Sequence, residues 1–254
     1  MNQLLNKVIF ITGGASGIGL ACAEAYIREG ATVFIMDVNE RALYKTLDRF
    51  GGKHEGIVGD VSNSADVKAA FETINKHYGK LDAIHNNAAI AHPSKPVDET
   101  EEDEWDALMN INLKSMFWTT KYGINMLKAS KGCILNTSSM AGDIGQSLHA
   151  AYTATKGGIN ALTKSMALDY AQYGIRVNAV SPAGVWTPLL KQWAAEQPDP
   201  GSIEKYLNDI HALGYCPEGD VVADAAVFLL SDAARFVTGC IMPVSGGAEL
   251  GYRR

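Results

Sequence analysis

Tyr152 and Lys156 stand four residues apart in a stretch with helical periodicity, so their side chains are expected to share one helix face. An isolated tyrosine loses its proton at about pH 10, which is too high for a base at neutral pH. A neighbouring ammonium stabilises the phenolate, and we therefore expect Lys156 to lower the pKa of Tyr152. Such a pair could exchange a proton with an alcohol or a carbonyl, although the same spacing also occurs in ordinary surface pairs.

A glycine-rich turn, Thr12–Gly19, follows the first apolar run and opens the first predicted helix. Glycines let the backbone turn sharply and approach a ligand closely. The N-terminus of the helix offers free N–H groups and a partial positive charge to a pyrophosphate. A tight turn without a ligand is the alternative, but the strand before it and the helix after it favour a dinucleotide site. The contacts are expected from Gly13, Ser16, Gly17, Ile18 and Gly19.

Asp37 ends the second apolar run, where a carboxylate could accept both ribose hydroxyls of an adenosine. The same carboxylate repels a 2′-phosphate, and neither Ser16 nor Val38 offers a cation to hold one. NAD is therefore predicted rather than NADP, with a helix N-cap as the alternative role of Asp37. Asp60 and Val61 follow the third run, where they would lie beside the adenine or form an ordinary turn and cap.

Short apolar runs alternate with amphipathic stretches along the chain, which predicts an α/β fold of parallel strands joined by right-handed crossovers. The runs are continuously apolar, as expected in a doubly wound sheet with helices on both faces. Strands are expected at residues 8–11, 32–36, 56–58, 81–85, 133–136, 176–180 and 240–242. Helices are expected at residues 17–29, 40–50, 64–78, 150–173 and 219–231, with another near 105–128.

Residues 184–217 interrupt this alternation. The segment is rich in Pro, Trp and Leu, and Pro198-Asp199-Pro200-Gly201 divides it. Long irregular segments of this kind are often lids over a binding site. We therefore expect an insertion over the sheet edge that forms the roof of the substrate pocket.

Several short motifs occur in a fixed order: Thr12-Gly13-x-x-x-Gly17-x-Gly19, Asn86-Asn87-Ala88, Asn112, Ser139, Tyr152-x-x-x-Lys156 and Asn178-x-x-x-Pro182. Together they closely resemble the motifs of the short-chain dehydrogenase/reductase family over essentially the whole chain. The resemblance implies a single NAD-binding Rossmann domain over residues 1–254, with a seven-stranded parallel sheet, usually in a homotetramer. It also implies hydride transfer between NAD and a secondary alcohol or carbonyl.

The same resemblance assigns the catalytic roles. Tyr152 is the acid and base, and Lys156 holds the nicotinamide ribose and tunes Tyr152. Ser139 bonds the substrate oxygen and stabilises the charge that develops there. Ser138 is the adjacent alternative, but its spacing to the tyrosine fits less well.

Asn112 is expected, by the same resemblance, to hold a water that relays protons from Lys156 to solvent, with Asn110 as the neighbouring alternative. Two positions depart from the family pattern, because Ala89 and Ala183 stand where glycine is usual. Each adds a methyl group near the nicotinamide and could narrow the pocket, but neither removes a catalytic group. The remaining cofactor contacts are expected from Asn87, Ala88, Ala89, Tyr152, Lys156, Pro182, Val185 and Thr187.

The C-terminal part of the chain carries the signal for the substrate. Trp186-Thr187-Pro188-Leu189, Pro198-Asp199-Pro200 and residues 246–252 resemble the subgroup that contains 17β-hydroxysteroid dehydrogenase type 14 and L-fucose dehydrogenase. An aromatic wall with several polar groups suits a sugar ring, so we expect an aldose such as L-fucose, oxidised at its anomeric carbon to a lactone. A hydroxysteroid or a small secondary alcohol is the alternative. Substrate contacts are expected from Ser139, Gln146, His149, Trp186, Trp193 and Glu249, the last on a tail that could come from a neighbouring subunit.

The composition disfavours several other functions. There are 22 Lys and Arg against 28 Asp and Glu, and the net charge of −6 disfavours nucleic-acid or anionic-membrane partners. The four cysteines are scattered without metal-ligand spacing, so no metal is expected and a reducing, cytoplasmic compartment fits best. No apolar run approaches a membrane span, and the start of the chain has no signal-peptide pattern. The expected partner is a small molecule.

A dinucleotide sensor that keeps the fold without turnover is the remaining rival. Such proteins typically lose the tyrosine–lysine pair, whereas this chain keeps all four catalytic positions, so an enzyme is favoured. Three histidines, His92, His149 and His211, are expected to be solvated loop or rim residues rather than bases. His149 could nevertheless line the substrate pocket, because it lies three residues before Tyr152.

Overall fold

Seven parallel strands form one sheet in the part of the chain that the computed structural model describes, which is residues 2–197 and 199–251. The strands are β1 (Val8–Thr12), β2 (Thr32–Asp37), β3 (Glu55–Val58), β4 (Ala83–Asn86), β5 (Cys133–Thr137), β6 (Arg176–Pro182) and β7 (Ile241–Val244). Their order in the sheet is β3-β2-β1-β4-β5-β6-β7, and every neighbouring pair is parallel. The predicted doubly wound α/β fold is confirmed.

The helices lie between the strands and cover both faces of the sheet. They are α1 (Gly17–Arg28), α2 (Glu40–Phe50), α3 (Ser64–Tyr78), α4 (Glu102–Leu108), α5 (Ser115–Ser130), α6 (Ala150–Ala171), α7 (Pro188–Ala195), α8 (Pro200–Ile210) and α9 (Asp220–Leu230). Among the described residues, no helix combines the length and the apolar character that a membrane crossing needs.

All five residues of β1 are buried, and they point alternately to the two faces of the sheet. Ile9 and Ile11 pack in one cluster with α1 and α9. Val8 and Phe10 pack in the other, where the Phe10 ring meets Phe71 of α3 edge to face at 4.9 Å. Burying each such side chain contributes roughly 1.5–3 kcal/mol. Because helices cover both faces of the sheet, no side of the strand is exposed to solvent. This explains why the strands are continuous apolar runs.

Three expectations need correction. Residues 184–217 are not irregular, because they contain α7 and α8. The helix near 105–128 is divided by a π-helical turn at Met109–Lys114, which joins α4 to α5. His149 and His211 are buried rather than solvated, with 6% and 1% of their surface exposed. Pro198 and Tyr252, which contribute to the subgroup resemblance, lie outside the described residues.

Candidate active site

The carboxyl ends of the parallel strands surround a cavity of about 830 Å³. The strand order reverses between β1 and β4, which is where open α/β sheets bind their ligands. Of the predicted site residues, those that line the cavity are Gly13, Ser16, Gly17, Ile18, Asp37, Val38, Asp60, Val61, Asn87, Ala88, Ala89, Ser139, Gln146, His149, Tyr152, Lys156, Pro182, Val185, Thr187 and Trp193. Gly19, Asn112, Trp186 and Glu249 do not line it.

The glycine-rich turn between β1 and α1 has the backbone that a dinucleotide needs. Gly13 and Gly17 adopt φ angles of 64° and 53°, which residues with a side chain rarely do. Gly19 acts by packing, because a Cβ atom there would overlap the carbonyl oxygen of Gly13. The Asn87 side chain holds the turn from below, since its Nδ2 donates to the carbonyls of Thr12 at 3.1 Å and Gly13 at 3.2 Å.

Asp37 lies at the end of β2 with 9% of its surface exposed. Its two carboxylate oxygens accept backbone N–H groups from Ala15 at 3.0 Å and Asn39 at 2.9 Å, so the side chain is held in one orientation on the cavity wall. Among the described residues that line this cavity, Lys156 is the one lysine or arginine, and it lies beside Tyr152. The carboxylate acceptor, with no cation beside it, therefore fits an adenosine with free ribose hydroxyls better than one with a 2′-phosphate.

Asp60 and Val61 line the cavity directly after β3. Asp60 Oδ1 also accepts the backbone N–H and the hydroxyl of Ser62, both at 2.8 Å. Asp60 therefore forms a local turn, as one of the two expected roles requires. The turn lies on the cavity wall, so it is also compatible with the other expected role, a position beside the adenine.

Tyr152 and Lys156 project from the first turns of α6 into the cavity. The Lys156 ammonium donates to the carbonyl of Thr137 at 2.8 Å and lies 5.5 Å from the centre of the Tyr152 ring. Burial lowers the pKa of Lys156 to about 7, so its charge is poorly stabilised at neutral pH.

The pKa of Tyr152 differs from the expectation. Desolvation of the hydroxyl raises this pKa, and a hydrogen bond with Ser139 offsets only part of the rise. The reason is that Lys156 is itself desolvated and turned toward Thr137, so its charge does not dominate the surroundings of the tyrosine. A bound positive nicotinamide would supply the missing stabilisation of the phenolate.

Ser138 and Ser139 follow β5 but point to different partners. The Ser138 hydroxyl donates to Asn160 Oδ1 at 2.5 Å and lies 3.3 Å from the carbonyl of Lys156, so it ties β5 to α6. Ser139 starts a short 3₁₀ turn and accepts the N–H of Ala141 at 3.2 Å, and its hydroxyl also hydrogen-bonds Tyr152 in the cavity. This geometry favours Ser139 as the group that meets a substrate oxygen.

Asn112 is fully buried in the π-helical turn and does not reach the cavity. Its side chain accepts the N–H of Ile90 at 2.9 Å and donates to the carbonyl of Ile90 at 2.8 Å and to Thr155 Oγ1 at 3.2 Å. The amide thus joins the loop after β4 to α6 at Thr155, one residue away from Lys156. π-helical turns are often found at functional sites.

His149 lines the cavity beside Tyr152, with the two rings in an edge contact at 6.3 Å. Its Nδ1 faces the carbonyl of Ser147 at 3.0 Å and must donate, so its Nε2 accepts the hydroxyl of Ser94 at 2.9 Å. Both nitrogens are therefore engaged within the protein. His149 therefore lines the pocket beside the tyrosine ring without offering a free polar group.

Two expected substrate contacts lie elsewhere in the described chain. Trp186 is half-buried, and its backbone N–H donates to the carbonyl of Pro217 at 2.8 Å, beside the cavity but not on its wall. Glu249 hydrogen-bonds the hydroxyl of Ser245, while its neighbour Ala248 lines the cavity. The glutamate is thus turned toward its own chain.

The roof of the cavity includes a helix face that the sequence analysis did not identify. Tyr206, Leu207 and Ile210 of α8 join Leu189 and Leu190 of α7 on the cavity wall. The three α8 residues have helical spacing, and this periodicity could have indicated an amphipathic helix. The helix was not predicted because the prolines and the glycine around position 200 suggested a loop.

The sequence profile of a family described as enoyl-(acyl carrier protein) reductase matches residues 13–249. The chain is 40% identical over 248 residues to L-fucose dehydrogenase from Bos taurus, covering 98% of this chain and 91% of the relative. It is also 40% identical over 249 residues to 2,5-dichloro-2,5-cyclohexadiene-1,4-diol dehydrogenase from Sphingobium indicum, covering 97% and 98% of the two chains.

A solved structure of a reductase has the same fold as this chain. The 3-ketoacyl-(acyl-carrier-protein) reductase from Brucella melitensis, crystallised in complex with NADH, superposes with a TM-score of 0.89 at 31% sequence identity. The superposition covers 97% of this chain and 99% of that one.

Proposed function

The chain belongs to the short-chain dehydrogenase/reductase family, and on that premise we propose that it oxidises the anomeric carbon of an aldose such as L-fucose, forming a lactone. It is an NAD-dependent oxidoreductase that acts on CH–OH groups. The observation that carries the proposal is the meeting of Ser139, Tyr152 and Lys156 with an apolar, aromatic roof in one cavity.

The proposed roles of the residues follow from their positions. NAD, when bound, accepts the hydride from the carbon that carries the reacting hydroxyl. Tyr152, as the phenolate that a bound nicotinamide would stabilise, takes the proton of that hydroxyl, and the Ser139 hydroxyl donates a hydrogen bond to the same oxygen as the carbonyl forms. The glycine-rich turn and Asp37 hold the adenosine and pyrophosphate half of the cofactor, which leaves Pro182, Val185 and the other predicted residues for the nicotinamide half.

Lys156 is suited to pass on the proton that Tyr152 takes up. A lysine with a pKa of about 7 gains or loses a proton readily at neutral pH, whereas an ordinary lysine stays charged. Asn112 fixes the loop and helix around this lysine. We retain the proposal that a water near Asn112 completes the route to solvent.

The substrate proposal rests on the two kinds of surface in the outer part of the cavity. Leu189, Leu190 and Trp193 present apolar and aromatic surface, while Gln146 presents an amide. A sugar ring has apolar faces and a hydroxylated rim, so it can stack on the tryptophan and bond the amide at once. The similarity to an L-fucose dehydrogenase supports this choice.

A second candidate is a cyclic secondary alcohol or diol, with a hydroxysteroid as a larger member of the same class. Two observations favour it. The diol dehydrogenase relative is as similar to this chain as the fucose enzyme is. In addition, the nitrogens of His149 are engaged within the protein, so the pocket wall offers fewer free polar groups than a sugar would use.

Initial rates with NAD decide between the candidates. The panel should contain L-fucose, other aldoses, cyclopentanol, a cyclohexadienediol and a 17β-hydroxysteroid. The aldose proposal predicts the highest kcat/KM for L-fucose or a close relative, and Trp193→Ala should lower that value at least tenfold. The variant Leu213→Ala is the control, because Leu213 is 70% exposed and lies outside the cavity. Turnover confined to alicyclic alcohols or steroids would reject the aldose.

The remaining proposals concern the whole protein. The chain is proposed to act as one domain, with α7 and α8 as a lid over the substrate. It is proposed to form a homotetramer in the cytoplasm, with α5 and α6 pairing between copies. Ala154, Ala161 and Leu168 support this pairing, because they form an exposed stripe of apolar residues at seven-residue spacing along α6.

A further inference from the structure

Three polar side chains form one hydrogen-bonded chain beneath the cofactor-binding end of the sheet. The Tyr26 hydroxyl lies 2.8 Å from His85 Nδ1, and His85 Nε2 lies 2.9 Å from Thr137 Oγ1. Tyr26 and His85 are completely buried, and Thr137 is 6% exposed. The proposed reaction uses neither Tyr26 nor His85. A buried histidine within the otherwise apolar start of β4 therefore needs a separate explanation.

The direction of these hydrogen bonds follows from their far end. Asn87 Nδ2 donates to two backbone carbonyls of the glycine-rich turn, so Oδ1 of the same amide is left as an acceptor. The Thr137 hydroxyl, 3.3 Å away, donates to this Oδ1. A hydroxyl has one proton, so the bond between Thr137 and His85 must be donated by His85 Nε2. His85 Nδ1 must then accept the Tyr26 proton, which defines a single tautomer.

The charge state of His85 agrees with this assignment. Burial lowers the pKa of His85 to about 3, so the imidazole is neutral over the working range of most proteins. A neutral imidazole has one N–H and one bare nitrogen. These match the one donor and the one acceptor that the chain of hydrogen bonds requires.

Thr137 connects this buried chain to both halves of the active site. Its carbonyl accepts the Lys156 ammonium at 2.8 Å, and its hydroxyl orients the Asn87 amide. That amide in turn fixes the carbonyl of Gly13 in the glycine-rich turn. A shift of Thr137 would therefore move both Lys156 and the dinucleotide-binding turn.

We propose that His85 is a positioning residue for the reaction. Its Nε2–H holds the Thr137 hydroxyl and thereby sets the Asn87 amide and the dinucleotide-binding turn. His85 does not line the cavity, so it acts through these two residues rather than on a ligand. The proposal rests on the proposed NAD-dependent function.

The first test compares His85→Leu with His85→Gln, whose amide can donate to Thr137 again. NADH affinity is measured directly by fluorescence titration, and KM for NAD is compared with kcat. His85→Leu should weaken NADH binding and raise KM for NAD by about tenfold while changing kcat less, since the loss is in a hydrogen-bonded support. His85→Gln should recover affinity to within about threefold of wild type.

A matched control is provided by His54, which is also buried and whose Nδ1 accepts a single backbone N–H, that of Val33, at 3.3 Å. His54→Leu should lower the melting temperature without changing NADH affinity. Equal NADH affinity in wild type and His85→Leu, or an equal loss in His85→Leu and His85→Gln, would overturn the positioning role. Failure of the wild type itself to bind NADH would instead reject the proposed function.

A second pair of variants keeps the test decisive if His85→Leu does not fold. Thr137→Val removes the hydroxyl with little change of volume, and Thr137→Ser keeps it. Thr137→Val should weaken NADH binding more than Thr137→Ser does, because only the valine variant lacks the hydroxyl. In addition, ¹⁵N NMR of histidine-labelled wild-type protein should show the Nε2–H tautomer for the signal that disappears in His85→Gln. The Nδ1–H tautomer would contradict the proposal.

Discussion

At the scale of single residues, the cavity places a hydroxyl acid and base beside an amine that is easy to deprotonate. Tyr152 is proposed to exchange the proton with substrate, and Lys156 lies 5.5 Å from its ring centre. Tyr152→Phe removes only the hydroxyl, so we expect kcat to fall by about 10²–10⁴-fold while the Kd for NADH stays near wild type. Steady-state assays measure kcat, and NADH titration measures the Kd.

Lys156→Ala serves as the comparison for Tyr152→Phe. It removes a group proposed to act on both proton transfer and the nicotinamide ribose, so both kcat and NADH affinity should decrease. Turnover of Tyr152→Phe within a factor of two of wild type would show that another residue transfers the proton.

Asp37 should determine the choice of cofactor. Its carboxylate is fixed by two backbone N–H groups, and no lysine or arginine of the described cavity wall lies nearby to hold a phosphate. We expect kcat/KM to be at least about 100-fold higher with NAD than with NADP. Asp37→Ala should reduce this preference at least tenfold, mainly through a lower KM for NADP. Equal wild-type efficiency with both cofactors would contradict the assignment.

The buried His85 should make the protein sensitive to acid. The pKa is about 3 in the folded state against an ordinary value of 6.5, so the unfolded chain binds the proton more readily between these values. Stability is therefore complete above pH 6.5 and is lost as the pH falls toward 3, by at most on the order of 5 kcal/mol. Urea unfolding at several pH values should show a weaker pH dependence for His85→Gln. Identical slopes would exclude His85 as the source.

The sequence predicted which polar side chains meet in the cavity better than it predicted their surroundings. Ser139, Tyr152 and Lys156 are recognisable from spacing and family resemblance, whereas the raised pKa of Tyr152 depends on desolvation that only the fold creates. His149 looked like a rim residue because its two hydrogen-bond partners, Ser94 and Ser147, have no signature in the sequence. His85 was missed for the same reason, although a histidine inside an apolar strand was a visible signal.

At the scale of secondary-structure elements, the turn from β1 into α1 depends on the absence of a side chain at Gly19. A Cβ atom there would overlap the Gly13 carbonyl, and Asn87 Nδ2 lies on the same side. Gly19→Ala should therefore weaken NADH binding at least about 100-fold or prevent folding, since backbone atoms cannot move aside cheaply. Gly52→Ala is the control, because a Cβ atom at Gly52 meets no atom within 4 Å. Similar NADH affinities in the two variants would refute this packing role.

The elements themselves were largely predictable, and the exceptions have physical causes. Each strand is an apolar run because both faces of the sheet are covered by helices. Helices α7 and α8 were not predicted, since each begins with a proline that looked like a loop residue. Proline is in fact favourable in the first turn of a helix, where its missing N–H is not needed.

At the scale of the whole molecule, the exposed stripe on α6 should control assembly. Leu168 is 81% exposed and Phe117 of α5 is 51% exposed, both on helices proposed to pair between copies. Leu168→Glu should place a charge in this contact and shift the assembly from four copies to fewer, measured by light scattering. Tyr44→Glu on α2 is the control, because Tyr44 is 56% exposed on a helix outside the proposed contact. A wild-type monomer at micromolar concentration would contradict the tetramer.

The strand order has a consequence for synthesis on the ribosome. Starting from β1, each later strand pairs with a strand that precedes it in the chain, so no strand must wait for a partner still to be made. Domains can begin to fold while the remainder is being translated. The glycine-rich turn, Asp37 and Asn87 all lie within the first ninety residues or so, well before Tyr152. The nascent chain can thus shape the glycine-rich wall of its cavity before α6 has left the exit tunnel.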